Sequence, residues 1–408
     1  MEASKKLKFF TLCFTFFVDY LSWAVVFPIF APYFLDVQNQ LFSPDVLVGT
    51  RTLILGFFLM AFSLGQFLGA PLIGEYGDKH GRKKALAWSV LFTFCALVLT
   101  AYSMRKNDLF WIFAGRLITG FFSSSTSLCL SCASDLSENE KEKVKRFGTL
   151  SMLGGFAFVV GAFAGGKLSD PTISKAFAAD VPIWIAAAFT LINFLVILVG
   201  FRETVIVHSD VRFNALESFQ NIKLALKTEK IKRIYTVYFL FFTAWTLLFQ
   251  FIPVLTVERF FYTNSNIGDL ALFMGVCWAI GSGYLNHFLV HRWNSYRILE
   301  CCLIGFTLFC ALIVYPQHIY TTLVVIGLCV LFGSIAWPIC TGIISNTVSS
   351  QMQGKIMGLS QSIQSLAMTL GPVIGGLAFQ SSLQLPFLIG AGISGLSVLI
   401  YFLTLRNR

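Results

Sequence analysis

The stretch Gly69–Lys84, GAPLIGEYGDKHGRKK, decides how the rest of the chain is read. Lys79, Arg82, Lys83 and Lys84 crowd into its last six positions. Gly77 and Gly81 give the backbone freedom for a tight turn. An apolar run flanks it on each side, 50–74 and 85–103. Each has close to the ~20 residues that a helix needs to cross a bilayer. Two spanning helices joined by a short basic loop account for the whole region.

Composition carries this reading outward. The chain has 408 residues, 56% of them hydrophobic and only 12% charged. A soluble protein carries about 25% charged residues, so this chain cannot clothe a water-facing surface of its size. Lipid is the solvent for most of it. Apolar runs long enough to span lie near 7–35, 50–74, 85–103, 109–133, 147–168, 182–201, 233–257, 269–290, 298–315, 320–345, 356–380 and 385–405. The first is too long for a cleaved leader. The longest polar stretch falls between the sixth and seventh runs. It divides the chain into 1–204, a linker at 205–232, part of it suited to lie on the membrane surface, and 233–408.

The net charge of +10 would suit a nucleic-acid partner, but the basic residues sit in the loops. Of 30 Lys and Arg, 23 fall in one set of alternating loops. Six fall in the other, namely Arg51, Arg105, Lys106, Lys167, Lys175 and Arg259, while Arg116 lies within a run. The positive-inside rule explains that bias and places both termini and the linker in the cytoplasm. The chain is thus expected in the inner (cytoplasmic) membrane as a multi-pass protein, without nucleic acid. Cys129 and Cys132 form a CxxC on an apolar run, with no histidine beside it. They read as small packing residues, and neither metal nor cofactor is expected.

The two halves repeat. Lys145, Gly148, Ala157, Gly161 and Gly165 are matched 210 positions later by Lys355, Gly358, Ala367, Gly371 and Gly375, with Ala162 matched by Pro372. FFVDYLSWAVVFP, ending at Pro28, has a counterpart in FFTAWTLLFQFIP, ending at Pro253. Such repeats build two-bundle transporters. Small residues at these positions let helices approach closely.

The loop after the second run resembles the signature loop of the major facilitator superfamily. Gly74, Asp78, Gly81, Arg82 and Lys83 fill the matching positions, with Lys79 in place of the family's first arginine. Asp19 and Pro28 keep the spacing of the first span of the drug:proton antiporters and tetracycline exporters within that superfamily. Arg116 and Gly120, in RLITGFFSSS, resemble that group's fourth-span motif. Gly161 and Gly165 fit its fifth-span motif, although Ala157 and Ala162 replace a Gly and a Pro, and the Gly-Pro pair stands instead at Gly371 and Pro372. The resemblance implies an all-α membrane protein of twelve transmembrane helices in two pseudo-symmetric six-helix bundles. It also implies that Asp78 and Arg82 govern switching between states. Gly120, Gly161, Gly165, Gly371, Pro372 and Gly375 are then packing positions.

Asp19 and Arg116 are the charges placed well inside hydrocarbon. Each costs roughly 2.5–3.5 kcal/mol at mid-membrane by insertion scales, and such residues are functional candidates by default. Asp19 is read as the proton-coupling carboxylate and Arg116 as its conditional partner. Trp23, Gln250, Trp337, Asn346, Gln361 and Gln364 are candidates to line a substrate cavity. The function expected is proton-coupled export of a small organic or drug-like molecule by a monomer among membrane lipids. The alternative is proton-coupled uptake of a metabolite or siderophore. An enzyme is disfavoured, since the chain carries neither HExxH nor a Walker motif.

Overall fold

The computed structural model describes residues 2–37, 40–123, 125–203, 229–345 and 353–404. Residues 204–228, most of the expected linker, lie outside them, as does Asn346. Twelve of the described helices are long and apolar enough to cross a membrane. Spans 1 to 6 are Lys6–Ala24, Val48–Gly77, Arg82–Lys106, Leu109–Asp135, Lys145–Leu168 and Val181–Gly200. Spans 7 to 12 are Lys232–Phe260, Asn264–Val290, Ser295–Leu312, Ile319–Ile344, Leu359–Phe379 and Leu385–Thr404. Apolar side chains that face outward explain the composition: Val199 is 88% exposed and Phe110 70%. Lipid, not water, suits a surface of that kind.

Three spans depart from one continuous helix. The run 7–35 is not a single rod: its helix stops at Ala24, residues 25–29 form turns, and a short helix Phe30–Leu35 follows. Pro28 lacks the N–H that would continue the ladder. Its counterpart Pro253 stays inside the helix Glu229–Phe260. Span 7 is the more buried of the two, with 78% of its most apolar window buried against 50% for span 1. Packing can hold a proline-containing helix together where neighbours surround it. Span 4 is built from Leu109–Phe122 and Ser125–Asp135. Span 8 starts at Asn264, earlier than its sequence suggests, and changes to a π-helix over Ile280–Leu285 before Asn286–Val290 completes it.

Contacts divide the chain into two compact units. The first holds Met1–Pro44, Ala61–Leu216 and Tyr262–Leu272; the second holds Asp45–Met60, Glu217–Phe261 and Phe273–Arg408. In the first unit, span 1 packs on spans 4, 5 and 6, and span 3 on spans 4 and 6. A Cβ on Gly161 would stand 2.8 Å from the Leu21 carbonyl oxygen, and one on Gly165 2.8 Å from that of Val25. These glycines therefore bring span 5 against the backbone of span 1. In the second unit span 7 packs on spans 11 and 12. There Gly371 meets Thr246, and a Cβ on Gly375 would stand 2.2 Å from the Phe251 ring. The sequence repeat is thus a repeat of packing, with the fifth helix of each half set against its first. Pro372 has its own neighbour, since a Cβ on Gly56 would stand 2.5 Å from its carbonyl oxygen.

The start of span 8 is bound into the first unit by polar groups. Lys167 Nζ donates to Ser265 Oγ at 2.7 Å and pairs with Asp269 at 2.8 Å. Asp170, just past span 5, accepts from the Ser265 N–H at 3.0 Å. Burial pushes the Asp170 carboxyl up, but hydrogen bonds from the Thr172 and Thr263 side chains and from the Thr172 and Ser265 backbone outweigh it. The group is left below the usual carboxylate value. A depressed value in the fold stabilises above the unfolded pKa of about 3.9, and that contribution is lost as pH falls through the folded value. Asp170→Asn should lower the melting temperature at neutral pH, and the gap to wild type should close well below about pH 4. Melting curves in detergent at the two pH values check this.

Candidate functional site

Asp19 sits on span 1 and is 8% exposed. Its Oδ2 accepts a hydrogen bond of 2.5 Å from the hydroxyl of Ser125. Ser125 opens the second helix of span 4, so the interruption of that span delivers a donor to the carboxylate. The sequence does not reveal this pairing, because the contact joins positions 106 residues apart. Span 1 meets span 6 through further hydroxyls. Thr15 Oγ1 donates to Asn193 Oδ1 at 2.9 Å, and Ser22 Oγ lies 3.4 Å from Thr190 Oγ1. Trp23 is half-buried and its ring centre is 5.4 Å from that of Phe158.

Arg116 is 5% exposed, and its guanidinium carbon lies 4.3 Å from the centre of the Phe62 ring. A cation over a ring face is attracted by the ring quadrupole, more so away from water. Asp19 and Arg116 are thus buried in the same unit but form no ion pair in this structure: the carboxylate is held by a hydroxyl and the guanidinium stands over an aromatic ring. Gly120, one turn beyond Arg116, makes that placement possible. A Cβ there would stand 2.0 Å from the Phe62 carbonyl oxygen.

The basic loop closes on itself within the first unit. Gly81 has φ +99°, a backbone conformation that L side chains rarely adopt. A Cβ at that position would also stand 2.5 Å from Glu203 Oε2. Glu203, just past the end of span 6, accepts from the N–H of Arg82 at 2.9 Å and of Lys83 at 3.1 Å. Its carboxylate caps the positive end of span 3. Lys83 Nζ donates to the Leu198 carbonyl at 2.8 Å, and Arg82 pairs with Asp135, at the end of span 4, at 3.5 Å. Gly74 has open space where a Cβ would go. The side chain of Asp78 lies outside the described residues. Nothing in the sequence around Glu203 marks it as a cap. Glu203→Ala should cost about 0.5–2 kcal/mol, as loss of a helix cap does, and thermal unfolding of the purified variant measures it.

In the second unit the cavity candidates separate. Gln364 Nε2 donates to the Tyr238 hydroxyl. Gln250 is half-buried, and its Oε1 is buried without a hydrogen-bond partner. Gln361 is exposed. Trp337 joins an aromatic cluster, with ring centres 5.2 Å from Trp278 and 5.4 Å from Phe242. Trp245 completes it, 5.0 Å from Trp278. Trp278 was not singled out in the sequence; only contacts between spans reveal it. Cys129 and Cys132 are free thiols buried in the core of the first unit.

Known proteins share this architecture. The family model described as Major Facilitator Superfamily matches residues 12–334 and 284–408. Over 335 residues, covering 80% of each chain, the protein is 25% identical to the tetracycline resistance protein, class H, of Pasteurella multocida. It is 23% identical to multidrug resistance protein 2 of Bacillus subtilis (strain 168) over 392 residues, 94% of this chain and 92% of the relative. The crystal structure of the human organic anion transporter MFSD10 superposes with a TM-score of 0.73 at 17% identity, over 97% of this chain and 99% of that one. That likeness shows the fold, and its helices are those of a multi-pass membrane protein. Because the family match runs through both units, the likeness first seen in one basic loop extends along the whole length, and the chain belongs to the Major Facilitator Superfamily, as a transporter and not an enzyme.

Proposed function

We propose that this transporter exports a small organic or drug-like molecule in exchange for protons, with Asp19 carrying the proton. The observation that supports this most is a carboxylate buried in span 1 and held by a hydroxyl, not by a cation. A neutral partner leaves the group able to bind and release a proton without breaking an ion pair. Arg116, buried in the same unit, is the cation that Asp19 meets in another state of the cycle. Relatives named for resistance to tetracycline and to multiple drugs favour export over uptake. The halves 1–204 and 233–408 alternate about the substrate, and Asp78 and Arg82 govern that switch. The protein works as a monomer in the inner membrane, with both termini in the cytoplasm on the basic side of the loops.

Everted membrane vesicles test the direction and the coupling. Respiration acidifies their lumen, which corresponds to the outside of the cell. Added tetracycline or ethidium should make the lumen more alkaline as protons leave in exchange, and only in vesicles that contain the protein. Acidification of the lumen on adding a substrate would identify symport and favour the uptake of a metabolite or siderophore instead.

A further inference from the structure

The end of span 8 carries an open, shallow cavity of about 340 Å³ whose lining comes from this one helix: Ser282, Gly283, Asn286, His287, Val290 and His291. Its walls offer lone pairs. The Ser282 hydroxyl is already engaged, donating to the Trp278 carbonyl at 2.8 Å. Asn286 Oδ1 is buried, and no donor reaches it. His287 and His291 stand one helical turn apart, with ring centres separated by 4.4 Å. His291 Nδ1 donates to the His287 carbonyl oxygen at 2.7 Å. In the neutral ring that bond fixes the tautomer and leaves the free lone pair on Nε2. A backbone carbonyl on the second ring nitrogen is how metal-bound histidines are commonly oriented. Two histidines at i and i+4 present their nitrogens on one helix face, the spacing that helical zinc sites use. Neither Lys nor Arg lines the cavity, and Arg292 lies over the Phe288 ring at 4.1 Å. Gly283, on the rim, has open space where a side chain would project, which leaves a way in.

We propose that this cavity binds a borderline divalent transition-metal ion such as Zn²⁺, Ni²⁺ or Cu²⁺. Imidazole nitrogens of His287 and His291 are the primary ligands. Asn286 lines the site beside them, and solvent completes the shell. Imidazole ligands favour these ions over Mg²⁺ and Ca²⁺, which take oxygen shells. The site uses neither Asp19 nor Arg116 and needs no assumption about what is transported or in which direction.

The test titrates the purified full-length chain, free of any affinity tag, with Zn²⁺ and Ni²⁺ by calorimetry. One equivalent per chain should bind in the micromolar range. Loss of an outer partner of a metal ligand costs roughly 10–100-fold in affinity, and His287→Ala or His291→Ala, each removing a ligand, should cost at least as much. Both rings are exposed, so these variants should elute as wild type does on size exclusion. With one equivalent of Cu²⁺, the electron paramagnetic resonance spectrum should show two imidazole nitrogens in wild type and one in either variant. Asn286→Ala should weaken binding less than either histidine change. The chain's ten free cysteines are the competing ligands. Unchanged binding in the double variant His287→Ala/His291→Ala would therefore overturn the proposal. So would a copper spectrum without imidazole nitrogen, or binding only at millimolar metal.

Discussion

Asp19→Asn protein reconstituted in liposomes should build no substrate gradient in response to an imposed pH gradient, while still exchanging substrate across the membrane. One charge moving through about 100 mV is worth about 2.3 kcal/mol, enough for roughly 50-fold accumulation. That accumulation is the quantity at stake. The substitution is close to isosteric. Asn Oδ1 can still accept from Ser125 Oγ, the bond that holds the wild-type carboxylate at 2.5 Å. The fold around the site should therefore survive, and what disappears is the group that takes up and releases a proton. Exchange needs no net proton movement and should persist. Ser125→Ala makes the complementary change, keeping the carboxylate and removing its donor. It should shift the pH dependence of transport and leave accumulation possible. Wild-type accumulation by Asp19→Asn would mean that protons travel by another group.

The second large effect is structural. Gly120→Leu should leave almost no monodisperse protein on size exclusion. Spans 2 and 4 cross at a point where neither can yield. A Cβ on Gly120 would stand 2.0 Å from the Phe62 carbonyl oxygen, and the next nearest atoms are also backbone. The contact is mutual, because a Cβ on Gly65 would stand 2.3 Å from the Leu117 oxygen and one on Gly69 2.0 Å from that of Phe121. Extra atoms in a well-packed interior cost about 1–3 kcal/mol even where side chains can move aside. Here only the helices themselves can move. Gly120→Ala should allow folding but separate the helices, carrying Arg116 off the Phe62 ring and slowing transport. Gly148→Ala is the control. That glycine is exposed, and a Cβ added to it would meet nothing within 4 Å, so the change should be close to neutral.

These expectations show which parts of the molecule a sequence reveals. Spanning helices were legible because hydrocarbon demands long apolar runs, and span 3, expected at 85–103, forms as Arg82–Lys106. The cost of charge in lipid singled out Asp19 and Arg116, and both are buried. What stayed hidden depends on contacts between distant segments. Ser125 looked like one of several small residues until span 4 was seen to restart there. Glu203 looked like the end of a helix, because a cap is defined by the N–H groups of Arg82 and Lys83 more than a hundred residues away. Pro28 and Pro253 hold matching places in the repeat, yet only the first ends a helix. Local sequence gives both the same preference, and the neighbours decide.

The π-helical turn at Ile280–Leu285 bears on how this chain tolerates changes of length. An α-helix holds 3.6 residues per turn, and the i→i+5 pattern of a π-helix accommodates about one residue more. The segment is equivalent to a single-residue insertion absorbed at one place. Deleting one residue there should restore an ordinary α-helix and keep Trp278 and His287 on the sides they now occupy. The same deletion a few positions earlier, within Asn264–Ala279, would turn everything beyond it by about 100° and bring the wrong side chains inward. Span 8 thus has one place where an ancestor could gain or lose a residue without rebuilding the interface on either side.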